Sequence, residues 1–140
     1  MKIVVGVDGS EPAGRAVEWC AAHAGQLGAE VVAVHAIDLP VVATAMTSYV
    51  PIYEFRDVDR DALRETVEAW CAPLAQAGVA FRIVMIEGVP ADTIMTTADE
   101  EAADLVIVGR RGRGGFAELI LGSTSYALTH HSKRPLLIIP

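Results

Sequence analysis

Five short aliphatic runs punctuate the chain: Lys2 to Val7, Glu30 to Ile37, Ala80 to Ile86, Asp104 to Val108 and Pro135 to Ile139. They are continuous rather than broken by regular polar positions, and rich in Val and Ile, the signature of strands buried on both faces of a parallel sheet. The segments between them carry helical spacing. Ser10 can cap a helix from Glu11 to about Leu27, with Pro12 tolerated in its first turn and Gly28 available to end it. In the span Asp57 to Ala77, the residues Leu63, Val67, Trp70, Cys71 and Leu74 recur at steps of three to four, an apolar stripe for a helix lying on the sheet. Pro90 to Ala103 and Glu118 to about His131 read as the remaining helices. The resulting order, βαβαβαβαβ, predicts an open, doubly wound α/β sheet with right-handed crossovers.

At 140 residues and 52% apolar content, the chain suits one domain, 1–140, with a full core. Its net charge of -7 argues against a general nucleic-acid binder, which gains affinity by releasing counterions to a basic surface. Arg110, Arg111 and Arg113 are a local exception, and such a cluster suits one anionic ligand better than a polymer. Cys20 and Cys71 fall in helical segments without Cys-x-x-Cys spacing and read as buried thiols in a reducing compartment. The first run ends at an acidic turn without a small-residue cleavage site, and reads as a strand rather than a signal peptide. The longest uncharged segment, Leu39 to Tyr53, is shorter than the roughly 20 residues of a membrane span and is broken by Pro40 and Pro51. The expectation is a soluble cytoplasmic protein with no membrane partner. The connection from Asp38 to about Arg56 is long and apolar, and is expected to act as a lid or a dimer contact.

Chemistry concentrates after the fourth run. Five of the twelve glycines lie between positions 109 and 122, and a run of free amides between a strand and a helix can cradle phosphate oxygens. Ligands of open parallel sheets bind beyond the carboxyl ends of the strands, where strand order reverses. The first strand ends in Gly6-Val-Asp8-Gly-Ser10 and the fourth in Val108-Gly109, so adjacency of these two would put Asp8 and the glycine loop on one crevice. Asp8 could accept from a ribose hydroxyl or hold a metal ion beside phosphates; Asp-Gly-Ser is also ordinary turn chemistry before a helix. No Gly-x-x-x-x-Gly-Lys-Ser/Thr is present, and no Gly-x-Gly-x-x-Gly follows the first strand, which excludes the phosphate-loop NTPase and dinucleotide designs.

The spacing Gly-x2-Gly-x9-Gly-Ser/Thr, met by Gly109, Gly112, Gly122 and Ser123, resembles the ATP-binding signature of the universal stress protein family. The likeness extends to Ile3 to Ser10, Val34 to Asp38, Gly88 to Ala91, Ala103 to Gly109 and Pro135 to Ile139, in the family's order. It implies an open five-stranded parallel sheet of order 3-2-1-4-5 with helices on both faces, of the adenine nucleotide alpha hydrolase-like kind. It further implies that Gly6 and Asp8 approach ribose and adenine, that the backbone at Ala36 reads adenine, and that Val108 and Gly109 line the ribose. Arg111 and Gly112 would run along the phosphates, and Gly122, Ser123, Thr124 and Ser125 would close over them. Arg113 and Gly114 join this set on grounds of charge and backbone freedom. Two departures stand out: the pair Arg110-Arg111, and Tyr126 where Asn is frequent. The resemblance also implies a homodimer, commonly joined through the last strand; Pro135 to Ile139 would otherwise be an exposed apolar edge.

The expected function is an ATP-binding stress regulator that acts through its dimer and loop surfaces, with Mg²⁺ as a companion of the phosphates at Asp8. The alternatives are a slow ATPase or phosphotransferase, or a sensor of AMP or cyclic AMP. Phosphoryl transfer requires a metal clamp and a group to orient the nucleophile, and no second placed carboxylate or base accompanies Asp8. His130 and His131 fall at the end of the last helix, where positive charge favours the helix dipole; His23 and His35 read as helix-face and strand-end residues.

Overall fold

Consecutive residues of a strand face opposite ways, so a strand whose neighbours are all apolar must be covered on both sides. In the computed structural model, which describes residues 1–37, 59–113 and 121–140, Ile3, Val4 and Val5 of strand β1 (Lys2–Gly6) are each fully buried. Ile3 and Val5 point into one core with Val31, Ala33 and Ile107, whereas Val4 points into a second with Val32, Val34, Val106 and Val108. These partners come from β2 (Glu30–Ile37) and β4 (Leu105–Gly109). With β3 (Phe81–Glu87) and β5 (Leu136–Ile139), they form a sheet of order β3-β2-β1-β4-β5. Every pairing is parallel, with Val4 opposite both Val32 and Val106. The order expected from the family resemblance is therefore the one found. The chain winds outward from β1 to β3, then crosses back to place β4 on the other side of β1.

Helices cover both faces. Helix α1 (Glu11–His23) presents Ala16, Val17 and Cys20 to the first core, and Ser10 caps it, its hydroxyl oxygen accepting from the Ala13 amide at 3.4 Å. Helices α2 (Arg60–Trp70) and α3 (Ala72–Gln76) add Val67, Cys71 and Leu74 on the same side. Helices α4 (Pro90–Glu100) and α5 (Ser123–His131) supply Ile94, Ala98 and Leu128 to the second core. Burial pushes the Cys20 thiol up to about 12 and the Cys71 thiol to about 11, so both stay protonated at neutral pH.

The single helix expected over 57–77 is two. The break falls at Cys71 (φ -89°, ψ 1°), because Pro73 has no N–H for the ladder and its ring crowds the carbonyl four residues back. Helices α1 and α4 also end earlier than the apolar pattern indicated. After α1, Ala29 N donates to the Ala24 carbonyl at 2.9 Å and Gly28 N to Gly25 at 3.2 Å. After α3, Val79 donates to Leu74 and Gly78 to Ala75; after α4, Ala103 donates to Ala98 and Ala102 to Asp99. Each is a Schellman-type ending with one residue in the left-handed region, Gly28 and Gly78 in two cases and Ala102 (φ 49°) in the third. The long connection at 38–56, expected to be a lid or dimer contact, the start of the last expected helix at Glu118 and the candidate site residue Gly114 lie outside the described residues.

Candidate functional site

The strand order reverses between β1 and β4, and both strands end in glycine. At this point a cleft of 940 Å³ opens beyond their carboxyl ends. Gly6 and Asp8 border it from β1, Ala36 from β2, and Val108, Gly109, Arg111, Gly112 and Arg113 from β4 and the loop that follows. Gly122, Ser123, Thr124 and Ser125 border it from the start of α5. The candidate site residues, apart from Gly114, therefore surround one crevice, and of the three clustered arginines Arg111 and Arg113 border it while Arg110 does not.

Asp8 organises the turn after β1. Its Oδ1 accepts from the Ser10 amide at 2.9 Å and the Ser10 hydroxyl at 2.6 Å, while its Oδ2 accepts from the Arg113 amide at 3.2 Å. The carboxylate thus joins the two strand-end loops, so Asp8 is a turn residue that also borders the cleft. Gly9 permits the turn: its φ is 77°, and a Cβ there would lie 2.4 Å from the Trp70 ring.

The loop after β4 is held by its own backbone. Arg110 donates its amide to the Ile139 carbonyl at 2.6 Å, and its carbonyl accepts from the Gly122 amide at 2.8 Å. The buried Ser125 hydroxyl donates to that same carbonyl at 2.7 Å, with the Gly122 carbonyl at 3.0 Å. Ser125 therefore fastens the loop, and its only proton is engaged there rather than in the cleft. Close approach explains the glycines: a Cβ on Gly109 would sit 2.6 Å from the Ala13 nitrogen, and one on Gly112 would sit 2.6 Å from Asp8 Oδ2. Gly122 is the N-cap of α5 and offers no side-chain oxygen to the amides of the first turn, which border the cleft at Ser123 and Thr124.

The opposite wall is apolar and was not anticipated. Val34 and Ile37 of β2, Leu63 of α2, Val89 before α4 and Ile94 within it all line the cleft. The rule that ligands sit at the reversal of strand order extends to the neighbouring strand ends and the first turn of the next helix, and would have pointed to Ile37, Val89 and Ile94. His35 also lines the cleft; it is buried, its Nδ1 lies 2.8 Å from the Val7 carbonyl, and its ring meets Trp70 edge-on. His130 and His131 are exposed in the last turn of α5, His130 lying against the Tyr126 ring at 4.3 Å between centroids. His23 stacks on Trp19 along α1. Among the described residues, no three His, Cys, Asp or Glu side chains gather as metal ligands, and Asp8 is the one carboxylate bordering the cleft. No helix among them is long and apolar enough to cross a membrane.

A five-stranded parallel sheet of this order, with a glycine-walled crevice at its reversal point, defines a doubly wound α/β protein of the 3-2-1-4-5 type. The family model of the universal stress protein family matches residues 1–140, and the chain belongs to that family. It is 31% identical to universal stress protein MJ0531 of Methanocaldococcus jannaschii, over 99% of this chain and 81% of that protein. Among solved structures, the protein MJ0577 superposes with a TM-score of 0.81 at 25% identity, covering 99% of this chain and 94% of that one. A universal stress protein crystallised in complex with cAMP superposes with a TM-score of 0.72 at 26% identity, covering 100% and 96%.

Proposed function

We propose that the chain is an ATP-binding stress regulator, with the nucleotide lying across the carboxyl ends of β1 and β4. The observation that carries this reading is the joining of the two strand-end loops around one cleft, with Gly112 packed on Asp8 and the first turn of α5 left without a side-chain cap. Amides at a helix N-terminus and in a glycine loop suit phosphate oxygens. The apolar wall formed by Val34, Ile37 and Ile94 suits an adenine face. Bound Mg²⁺ would be held by the phosphates and by Asp8, whose oxygens already accept three hydrogen bonds; the ion would neutralise phosphate charge. The cAMP complex of a 26% identical relative favours a second reading, in which a cyclic or monophosphate nucleotide takes the same adenosine position.

Regulation would act through a homodimer. Strand β5 ends the sheet, and Leu136 to Ile139 are only half-buried, so a second copy at this edge would cover them. The site of action would be the cytoplasm.

Three measurements test the reading. Mass spectrometry of small molecules released from freshly purified protein should find an adenine nucleotide, and calorimetry should give ATP a Kd of about 1 μM, near -8 kcal/mol. Gly122→Ala, whose Cβ would press on Arg111 Cα at 3.2 Å, should weaken that binding. Unchanged affinity would remove the glycine loop from the site. Sedimentation should give twice the monomer mass of 14.9 kDa; a monomer would remove the dimer.

A further inference from the structure

On the reading that this cleft takes an adenine nucleotide, we propose that Trp70 and Arg113 form a latch that discriminates by phosphate-chain length. Trp70 holds the Arg113 guanidinium, and only a polyphosphate reaching the rim draws it away. The guanidinium carbon lies 5.4 Å from the centre of the Trp70 ring, within cation–π range. The Arg113 amide is bonded to Asp8 Oδ2 at 3.2 Å, so the backbone is pinned to the cleft wall while the long side chain can choose between partners.

The indole is the fixed half of the pair. It packs on Gly9, where a Cβ would lie 2.4 Å from Cζ2, and it meets His35 edge-on with centroids 5.4 Å apart. His35 is in turn anchored to the Val7 carbonyl at 2.8 Å. Trp70 does not itself border the cleft, whereas Arg113 does. From Gly109 to Arg113 the chain climbs from half-buried to exposed, placing Arg113 at the rim. On that reading a nucleoside monophosphate would end short of the rim, and the distal phosphates of a triphosphate would extend toward Arg113.

A guanidinium–phosphate pair is strong because its hydrogen bonds are charge-assisted. To form it, Arg113 must leave the indole, so the net gain for the triphosphate is smaller by the cation–π attraction that Arg113 gives up. The two halves of the latch therefore have opposite effects. Removing Arg113 removes the gain, and removing the Trp70 ring removes the competitor.

The test uses the full chain carrying Trp19→Phe, which leaves Trp70 as the one indole of two. ATP and AMP are titrated by calorimetry and by Trp70 emission. ATP is expected to change the emission and AMP to leave it nearly unchanged. In Arg113→Gln the ATP signal disappears and ATP loses affinity relative to AMP. In Trp70→Leu, ATP gains about two- to fivefold relative to AMP, the range of an exposed cation–π pair. Trp70→Phe keeps an aromatic face, is expected between parent and Leu, and carries the test if the Leu variant does not fold. A packing role alone would weaken ATP and AMP together in both Trp70 variants, and that result would overturn the latch. An ATP-to-AMP ratio indifferent to Arg113, with AMP still bound, would also overturn the latch while leaving the nucleotide reading intact. Failure of the parent to bind either nucleotide would remove both.

Discussion

At the amino ends of the strands, charge meets charge and the helices return tightly. Lys2 lies between Glu30 at 3.2 Å and Glu101 at 2.9 Å, Arg82 pairs with Glu101, and the Lys2 amide donates to Asp104 at 2.7 Å. Three Schellman-type endings lead from helix into β2, β3 and β4 within a few residues. At the carboxyl ends of β1 and β4 the partners are backbone groups and short side chains: Asp8, Ser10 and Ser125 bind the amides and carbonyls of two loops, and glycines let those loops touch. There α5 starts at Ser123 on the border of the cleft, behind a glycine N-cap with no side-chain oxygen. One end of the sheet satisfies itself, and the other is shaped around a space.

Substitutions can break this contrast in order of size. The largest effect is expected at Gly109, because a methyl group there meets the backbone of Pro12 and Ala13 at 2.6 Å, and backbone yields less readily than a side chain. Gly109→Ala should lower stability by about 1–3 kcal/mol in urea unfolding. Unchanged stability would mean that the loop after β4 does not rest on α1 as described. At the other end the strain is local and can be relieved. Ala102 holds a left-handed conformation that costs an L-residue about 1–2 kcal/mol, partly offset by the greater unfolded-state freedom of glycine. Ala102→Gly should therefore stabilise by about 0.5–1 kcal/mol; a loss of stability would contradict the ending proposed for α4.

The smallest effect is electrostatic. Hydrogen bonds from Arg82 and then Lys2 lower the Glu101 carboxyl to about 2 from an ordinary value of 4.5. A carboxyl depressed on folding contributes its full share above pH 4.5 and loses it as pH falls through about 2. Arg82→Gln should move that loss to higher pH in acid-unfolding curves, by a modest amount because the pair lies at the surface. Coincident curves for the two proteins would remove Arg82 from the cluster.

Much of the architecture was legible because buried parallel strands announce themselves as unbroken Val and Ile runs; each observed strand starts and stops within a residue or two of its run. The helix boundaries were less so. Pro73 was visible but sat within an otherwise regular apolar stripe, and the stripe carries no mark of the break at Cys71. The end of α4 was invisible because its left-handed residue is Ala102, where Gly28 and Gly78 mark the other two. On the site, Asp8 and the glycine loop could be paired in advance by the strand-end argument. The packing of Trp70 on Gly9, His35 and Arg113 could not, since Trp70 reads from sequence only as one position in a core-facing stripe.

The central claim is that the space at the carboxyl end, and not the charged amino end, receives an adenine nucleotide. Backbone amide spectra recorded during an ATP titration test it most directly. The account predicts shifts at Asp8, Ala36, Gly109 to Arg113 and Gly122 to Ser125, with Lys2, Glu30, Arg82 and Glu101 unmoved. Shifts confined to the amino end, or none at saturating ATP, would contradict it.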